Sequence, residues 1–446
     1  MRARVDRWLT DSPLNLAVFR VTVGALIASL QGVHQLAVDA TRVPMAVRTA
    51  PWGWGWMLRA VPISPAVAEA LRAALTLAAL CGALGLFSRA SFAVVTVAGM
   101  FLWAHAMTLG SAVHFHHLLW FAALLAASPC GDALSLDRWR ARRGLPSPAP
   151  HRAYGIPLRA AWLLVGAVYF FPGLWKLATS GAAWFLSDNL LLQMRAKWTQ
   201  MEGFTPLFRV DRHPWLCRAG ALATVAFELS FVLLVIPRRT RPLAVGAALL
   251  FHQATDWFMG LRYPALWVCY TAFVDWDALL SRWRGETETV AVQRDTRLVT
   301  AVSAALLAGA MALGAMGESD AWPFACYPKF DRIVGATLPA MEVALVYEGR
   351  EVAVPARAMF PAGRTQRYWA LTWSLLGAHR SERASARRFG AFWRSAARQP
   401  SVRSMVPGAR SVRFYRATIS TDPDLRDAPP LRRALLAELP LTDARR

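Results

Sequence analysis

The sequence predicts an all-α polytopic membrane bundle of about nine transmembrane helices with a small C-terminal extracytoplasmic β-containing domain. Three observations carry that reading. The 446-residue chain is 55% hydrophobic and only 17% charged, too apolar for a soluble globular protein. Nine runs long and apolar enough to span a bilayer occupy roughly residues 14-33, 66-87, 91-109, 112-129, 157-177, 215-236, 242-260, 263-280 and 298-316. From about residue 317 onward no further run occurs, and the composition turns polar and arginine-rich.

The domains follow directly: a cytoplasmic N-terminus over 1-13, a transmembrane domain over 14-316, and a separate outer region over 317-446. The first run is about twenty residues long and carries Arg20 inside it, so it reads as a span rather than a cleaved signal peptide. Fifty Lys plus Arg against 28 Asp plus Glu give a formal charge of +22. Much of that charge flanks the apolar runs, so it reports membrane topology, and no nucleic-acid partner is expected. The stretches DRWRARRGLPSPAPHR, PRRTR and SRWRGETETVAVQR fall on one side together with the MRARVDR start, and that side is assigned to the cytoplasm. Segment 34-65, the turn at 110-111, loop 178-214 and the region after 317 then lie outside an inner (plasma) membrane, with membrane lipids as the solvent partner.

In the outer region, Val343, Leu345 and Tyr347 alternate, Glu348-Gly349 follows, and Val352 and Val354 resume the pattern, which predicts a β-hairpin. The segment SLLGAHRSERASARRFGAFWRSAARQ reads as an amphipathic helix with a solvated basic face, anionic lipid being the other reading. The C-terminal stretch reads as a Pro-punctuated tail with one short helix. Five scattered cysteines show no metal or disulfide spacing.

Ionisable groups inside spans are costly and mark sites. His34 ends run one, His105 lies near the outer end of run three, and His114, His116 and His117 open run four. Lys176 closes run five after a Pro172-Gly173 break, Glu228 lies mid-depth in run six, and His252 and Asp256 share a face of run seven. Each has a plainer reading. A single intramembrane histidine is more often a packing or hydrogen-bonding residue, and a terminal lysine ordinarily snorkels to the headgroups. His114 and His117 at i,i+3 suit a metal, but no carboxylate adjoins them and no metal is inferred. Arg20 and Glu228 are expected to form a structural charge pair. The chain has only three lysines, Lys176, Lys197 and Lys329, so a lysine at a membrane position is a rare choice here. Partial desolvation at the membrane boundary disfavours the ammonium form, as general-base work requires, and Tyr169, Phe170, Phe171 and Trp175 supply either an apolar slot for a ring or an interfacial aromatic belt.

LAVFRVTVG in run one, GALGLFSRAS, the segment ending SPCGDALSLD, YFFPGLWKL with SGAAWFLSDNL, and FELSFVLLVIPRRTRPLAVGAALLFHQATDWFMG occur in an order and spacing that resemble the vitamin K-dependent γ-carboxylases and their bacterial relatives with a horizontally transferred transmembrane (HTTM) domain. The resemblance runs through much of residues 12-280. It implies a quinol-linked oxygenase or carboxylase acting at the outer face with reduced naphthoquinone, oxygen and carbon dioxide, on a protein or peptide substrate. It implies Lys176 as the base that deprotonates the hydroquinone and His114 as its partner toward the substrate, and it aligns His252 with a family histidine. His117, His252, Asp256, Tyr169 and Trp175 are the expected pocket. The chain departs from the eukaryotic enzymes in having Ala112-Val113 before His114 and a much shorter outer region. A quinone- or lipid-binding protein without turnover and a non-catalytic membrane scaffold are the competing classes.

Overall fold

The structure, a computed structural model, describes residues 2–53, 55–109, 115–141, 146–201, 203–284, 288–318, 321–324, 330–359, 365–376 and 382–441. His114 lies outside them. Two of the apolar helices begin on serine caps. After α1 (Arg2–Leu9), Ser12 accepts the Leu14 N–H at the start of α2 (Pro13–Ser29), and Ser64 accepts the Val67 N–H at the start of α4 (Pro65–Leu84), each helix opening on proline. Between them, α3 (Gln31–Arg42) continues α2 after a 47° bend. Then come α5 (Ser88–Met107), α6 (His117–Ala127), α7 (Arg152–Ser180), α8 (Asn189–Gln200), α9 (Pro214–Val235), α10 (Arg241–Met259), α11 (Pro264–Cys269) and α12 (Arg297–Ala315).

All nine apolar runs are helical over much of their length, but they are not nine spanning helices. Five, namely α4, α5, α7, α9 and α12, are long and apolar enough to cross a membrane, and the bent α2–α3 pair makes a sixth. The chain is a multi-pass membrane protein by these helices. Run four yields α6 with 11 described residues, only about 16 Å of helix against a hydrocarbon core of about 30 Å. Run seven yields a 19-residue helix whose His252, Gln253 and Asp256 lower its apolarity. Run eight breaks: α11 passes into a 3₁₀ turn at Tyr270–Phe273 before a short helix at Trp276–Arg284.

The loops sort to two ends. At the basic end, Asp11 pairs with Arg159 at 2.8 Å, Asp132 with Arg294 at 2.6 Å, and Ser147 bridges to Thr289. Arg20 belongs to this end. Its guanidinium is fully buried and donates to the carbonyls of Cys130 at 2.9 Å, Ala133 at 3.1 Å and Ala83 at 3.4 Å, and to that of Leu134. The expected Arg20–Glu228 pair is therefore not formed. The two terminal guanidinium nitrogens reach main-chain carbonyls near the helix ends, with no carboxylate to desolvate.

At the other end sits the C-terminal region. Strands β1 (Thr337–Tyr347), β2 (Arg350–Ala353), β3 (Ser411–Ser420) and β4 (Arg432–Pro440) form an antiparallel sheet in the order β2-β1-β3-β4. The expected hairpin is β1–β2, turning at Glu348-Gly349 with Gly349 at φ 74°. Met341, Val343, Leu345, Val412 and Phe414 bury one sheet face against α13 (Thr365–Leu376) and α14 (Glu382–Ala396). That packing consumes Phe389, Phe392 and Trp393, the apolar face of the arginine-rich helix. The expected short terminal helix is strand β4 instead. RRALLAEL has helix-forming composition, but pairing with β3 and the Arg433 bonds to Glu342 and Glu351, both 2.9 Å, override it.

Glu351 centres the polar sheet face. Burial alone would raise its carboxyl, but hydrogen bonds from Tyr415, Arg413 and Arg433 pull it down to about 2. A carboxylate held low stabilises the fold above its ordinary value near 4.5 and loses that contribution as pH falls through about 2. Glu351→Gln is expected to lower the unfolding midpoint at pH 7 and to flatten its decline between pH 4.5 and 2, read by thermal melts across that range.

Candidate functional site

Gly166 and Gly173, seven residues apart on α7, open one face of that helix to α9. A Cβ on Gly173 would lie 2.9 Å from the Glu228 Cβ, and one on Gly166 would lie 2.6 Å from Val232. The close crossing brings the Lys176 Nζ, one turn beyond Gly173, to 2.7 Å from both carboxylate oxygens of Glu228. The two side chains are 4% and 7% exposed, so this is a buried bidentate ion pair. The Trp184 ring lies 5.2 Å from the Lys176 Nζ and adds a cation–π contact.

Two turns before Lys176 on the same face, the buried Tyr169 hydroxyl bonds His252 Nε2 at 2.5 Å and also bonds the Tyr270 hydroxyl. The break in run eight is what sets Tyr270 there: the 3₁₀ turn swings its ring against His252 and Phe231. Lys176, Glu228, Tyr169 and His252 all line one cavity of about 400 Å³. Its other walls are mostly apolar, including Phe251, Phe258, Met194 and Leu266, and Phe330 from the region after α12 also lines it. The site is an apolar slot with an ion pair at one pole and a Tyr–His hydrogen-bonded pair at the other.

Of the residues expected in the pocket, Tyr169 and His252 line it. Trp175 does not: its indole turns to α12 and donates to the Gly314 carbonyl at 2.8 Å. Asp256 pairs with Arg262 at 2.9 Å beyond the helix end and is not on the cavity wall. His117 is buried against His116 and Phe121, off the cavity wall, and its ring nitrogens find no hydrogen-bond partner among the described residues. His34 lies apart, against Trp103 and 3.4 Å from the Thr76 hydroxyl. The residues not anticipated are Glu228 as the lysine's partner, Trp184 and Tyr270. Gly173 was their available signal, since a glycine one turn before a membrane lysine marks where a neighbouring helix approaches. Among the described residues no group of three or more His, Cys, Asp or Glu is placed to hold a metal, and Cys81, Cys130, Cys217 and Cys269 are free thiols.

The family model for the HTTM domain matches residues 10–274, more than half of the chain. The chain belongs to the HTTM domain family. The matched HTTM span takes in Arg20, Lys176, Glu228, His252 and Tyr270, and excludes α12 and the whole sheet domain. No curated protein and no solved structure matches the chain. Within the HTTM domain, then, both poles of the cavity lie inside the matched span, while Phe330 reaches the cavity from outside it.

Proposed function

We propose that this HTTM-domain protein binds a reduced naphthoquinone-type ring in the cavity and acts on it as a quinol-linked oxygenase or carboxylase, with Lys176 as the base. The observation that carries the reading is a lysine ion-paired to a glutamate on the wall of an apolar cavity that also presents a Tyr–His pair. An ammonium cannot accept a proton. Passing one proton across 2.7 Å to Glu228 leaves a neutral amine able to take a proton from a ring hydroxyl, with the glutamic acid as temporary carrier. In this reading a ring oxygen at the opposite pole takes up a hydrogen bond with the Tyr169–His252 pair in exchange for the one that the two now share. Oxygen and carbon dioxide complete the chemistry that the resemblance implies, with a peptide outside as the acceptor.

Purified protein incubated with reduced naphthoquinone and oxygen should form the epoxide. No product from any reduced quinone tried would overturn the enzymatic reading. A quinone-binding protein without turnover is the second reading, because Lys176 and Glu228 already satisfy each other as a structural pair would. Bound quinone with no oxygen-dependent product would select it, and neither binding nor turnover would select a scaffold role.

The orientation belongs to the same proposal: the arginine-rich end faces the cytoplasm, so the sheet domain and the cavity's domain side face outward. Single cysteines introduced at positions 140 and 330 in a chain lacking its other cysteines should react differently with an impermeant maleimide in intact cells. Labelling at 330 and not at 140 is expected, and the reverse would put the cavity at the cytoplasmic face.

A further inference from the structure

Three of the segments that carry the family resemblance, LAVFRVTVG, GALGLFSRAS and SPCGDALSLD, lie at the basic end, at the opposite end of the bundle from Lys176. They are locked to one another. Arg20 from the first donates to carbonyls of the other two. Asp137 of the third accepts the Phe87 and Ser88 N–H groups and the Ser88 hydroxyl, each at 2.8 Å. A Cβ on Gly85, at φ +72°, would lie 2.3 Å from Ser135, and one on Gly131 would lie 2.7 Å from the Ser88 hydroxyl, so neither glycine tolerates a side chain.

This clasp frames a second cavity of about 430 Å³. Arg89, Arg138 and Arg294 line it, with Asp132 and Asp137 as the acids. Both acids already have partners: Asp137 closes the start of α5, and Asp132 holds the Tyr154 hydroxyl and, within the cavity, one Arg294 nitrogen, both at 2.6 Å, while Arg89 has no carboxylate partner among the described residues. The arginines are partly engaged: the Arg138 guanidinium donates to the Asp132 and Pro146 carbonyls, each at 3.0 Å, and the Arg89 Nε to the Ala126 carbonyl at 3.1 Å, while the Arg294 Nε is buried without a partner among the described residues. Phe87 lines the cavity and is 66% exposed, and Leu84 and Leu134 on the clasp segments are 60% and 50% exposed, so apolar side chains adjoin the arginines at a helix end. A cluster of guanidiniums beside such apolar side chains fits a phosphate that arrives attached to acyl chains better than it fits a free anion.

We propose that this cavity is a headgroup site for an anionic phospholipid, with the phosphate held by Arg89, Arg138 and Arg294 and the chains lying along Leu84 and Phe87. The site is independent of the quinone reading and survives its failure. The test is native mass spectrometry of the detergent-purified full chain with phosphatidylglycerol, phosphatidylcholine or inorganic phosphate as the probe. Wild type should retain phosphatidylglycerol over phosphatidylcholine. Arg89→Gln/Arg138→Gln should cut that retention by roughly fivefold per arginine, while Arg218→Gln/Arg262→Gln at the domain end leaves it unchanged. Arg89→Lys should restore part of the loss, and matching unfolding midpoints exclude misfolding as its cause. Equal retention of the two lipids, equal loss in the domain-end variant, or binding of inorganic phosphate without lipid preference would each overturn the assignment.

Discussion

Glu228→Leu alone is expected to destabilise the bundle by about 3–5 kcal/mol, because it leaves an ammonium in an apolar wall without its counter-charge. Lys176→Met alone should cost a similar amount for the mirror reason. The double replacement Lys176→Met/Glu228→Leu should recover most of the loss and stand within about 1 kcal/mol of wild type, since taking two charges from water together is costly and two apolar side chains avoid that cost. The pair is suited to this test: both carboxylate oxygens are engaged at 2.7 Å and neither side chain is more than 7% exposed. Thermal unfolding of the four proteins in one detergent closes a double-mutant cycle. If Glu228→Leu costs less than 1 kcal/mol, Lys176 reaches water without its partner, and the cavity is wetter than its lining implies.

The lysine stood out in the sequence as a rare residue type at a membrane position, and its partner did not. Counting residues from the turn between α9 and α10 places Glu228 at the depth of His252, but depth says nothing about azimuth. Arg20 and Glu228 were matched because both are charges inside spans. The structure separates them because Arg20 lies two turns from the basic end, within reach of the loop carbonyls of Cys130 and Ala133, while Glu228 faces the glycine-lined groove of α7. The fold supports the distinction on general grounds, since loop carbonyls are abundant at helix ends and scarce at mid-depth.

Trp175 is a miss that helical geometry exposes. At about 100° per residue, Tyr169 and Lys176 fall about 20° apart around α7, whereas Trp175 falls about 120° from Tyr169. One face carries the site, and the other packs Phe171 and Trp175 against Gly314 and Gly317 of the segment at the end of α12. Asp256 fails differently. It shares the face of His252, but Gly260 at φ 63° ends α10 and turns the chain back, so that Arg262 captures the carboxylate. Tyr270 was hidden because residues 263–280 read as one apolar run, and only the 3₁₀ turn after Cys269 shows that its hydroxyl meets Tyr169. The hairpin was legible because alternation and Glu348-Gly349 agree, whereas β3 and β4 depend on partners distant in sequence.

Lys176→Arg should reduce quinone-dependent turnover at least about 100-fold while leaving the unfolding midpoint close to that of wild type. The exchange separates charge from basicity. Arginine keeps the positive charge opposite Glu228, supplies a planar fork that suits a carboxylate held by two oxygens, and retains a cation for the Trp184 ring, now 5.2 Å from Nζ. A structural role therefore survives. A base does not, because guanidinium keeps its proton at any accessible pH, whereas a lysine beside Glu228 has an acceptor 2.7 Å away for the one it must shed. The measurements are epoxide formed per mole of purified protein and thermal unfolding for wild type, Lys176→Arg and Lys176→Met. Methionine should lose both activity and stability, and arginine activity alone. Turnover retained by the arginine variant would eliminate Lys176 as the base and leave the Tyr169–His252 pair as the proton-handling group of the cavity.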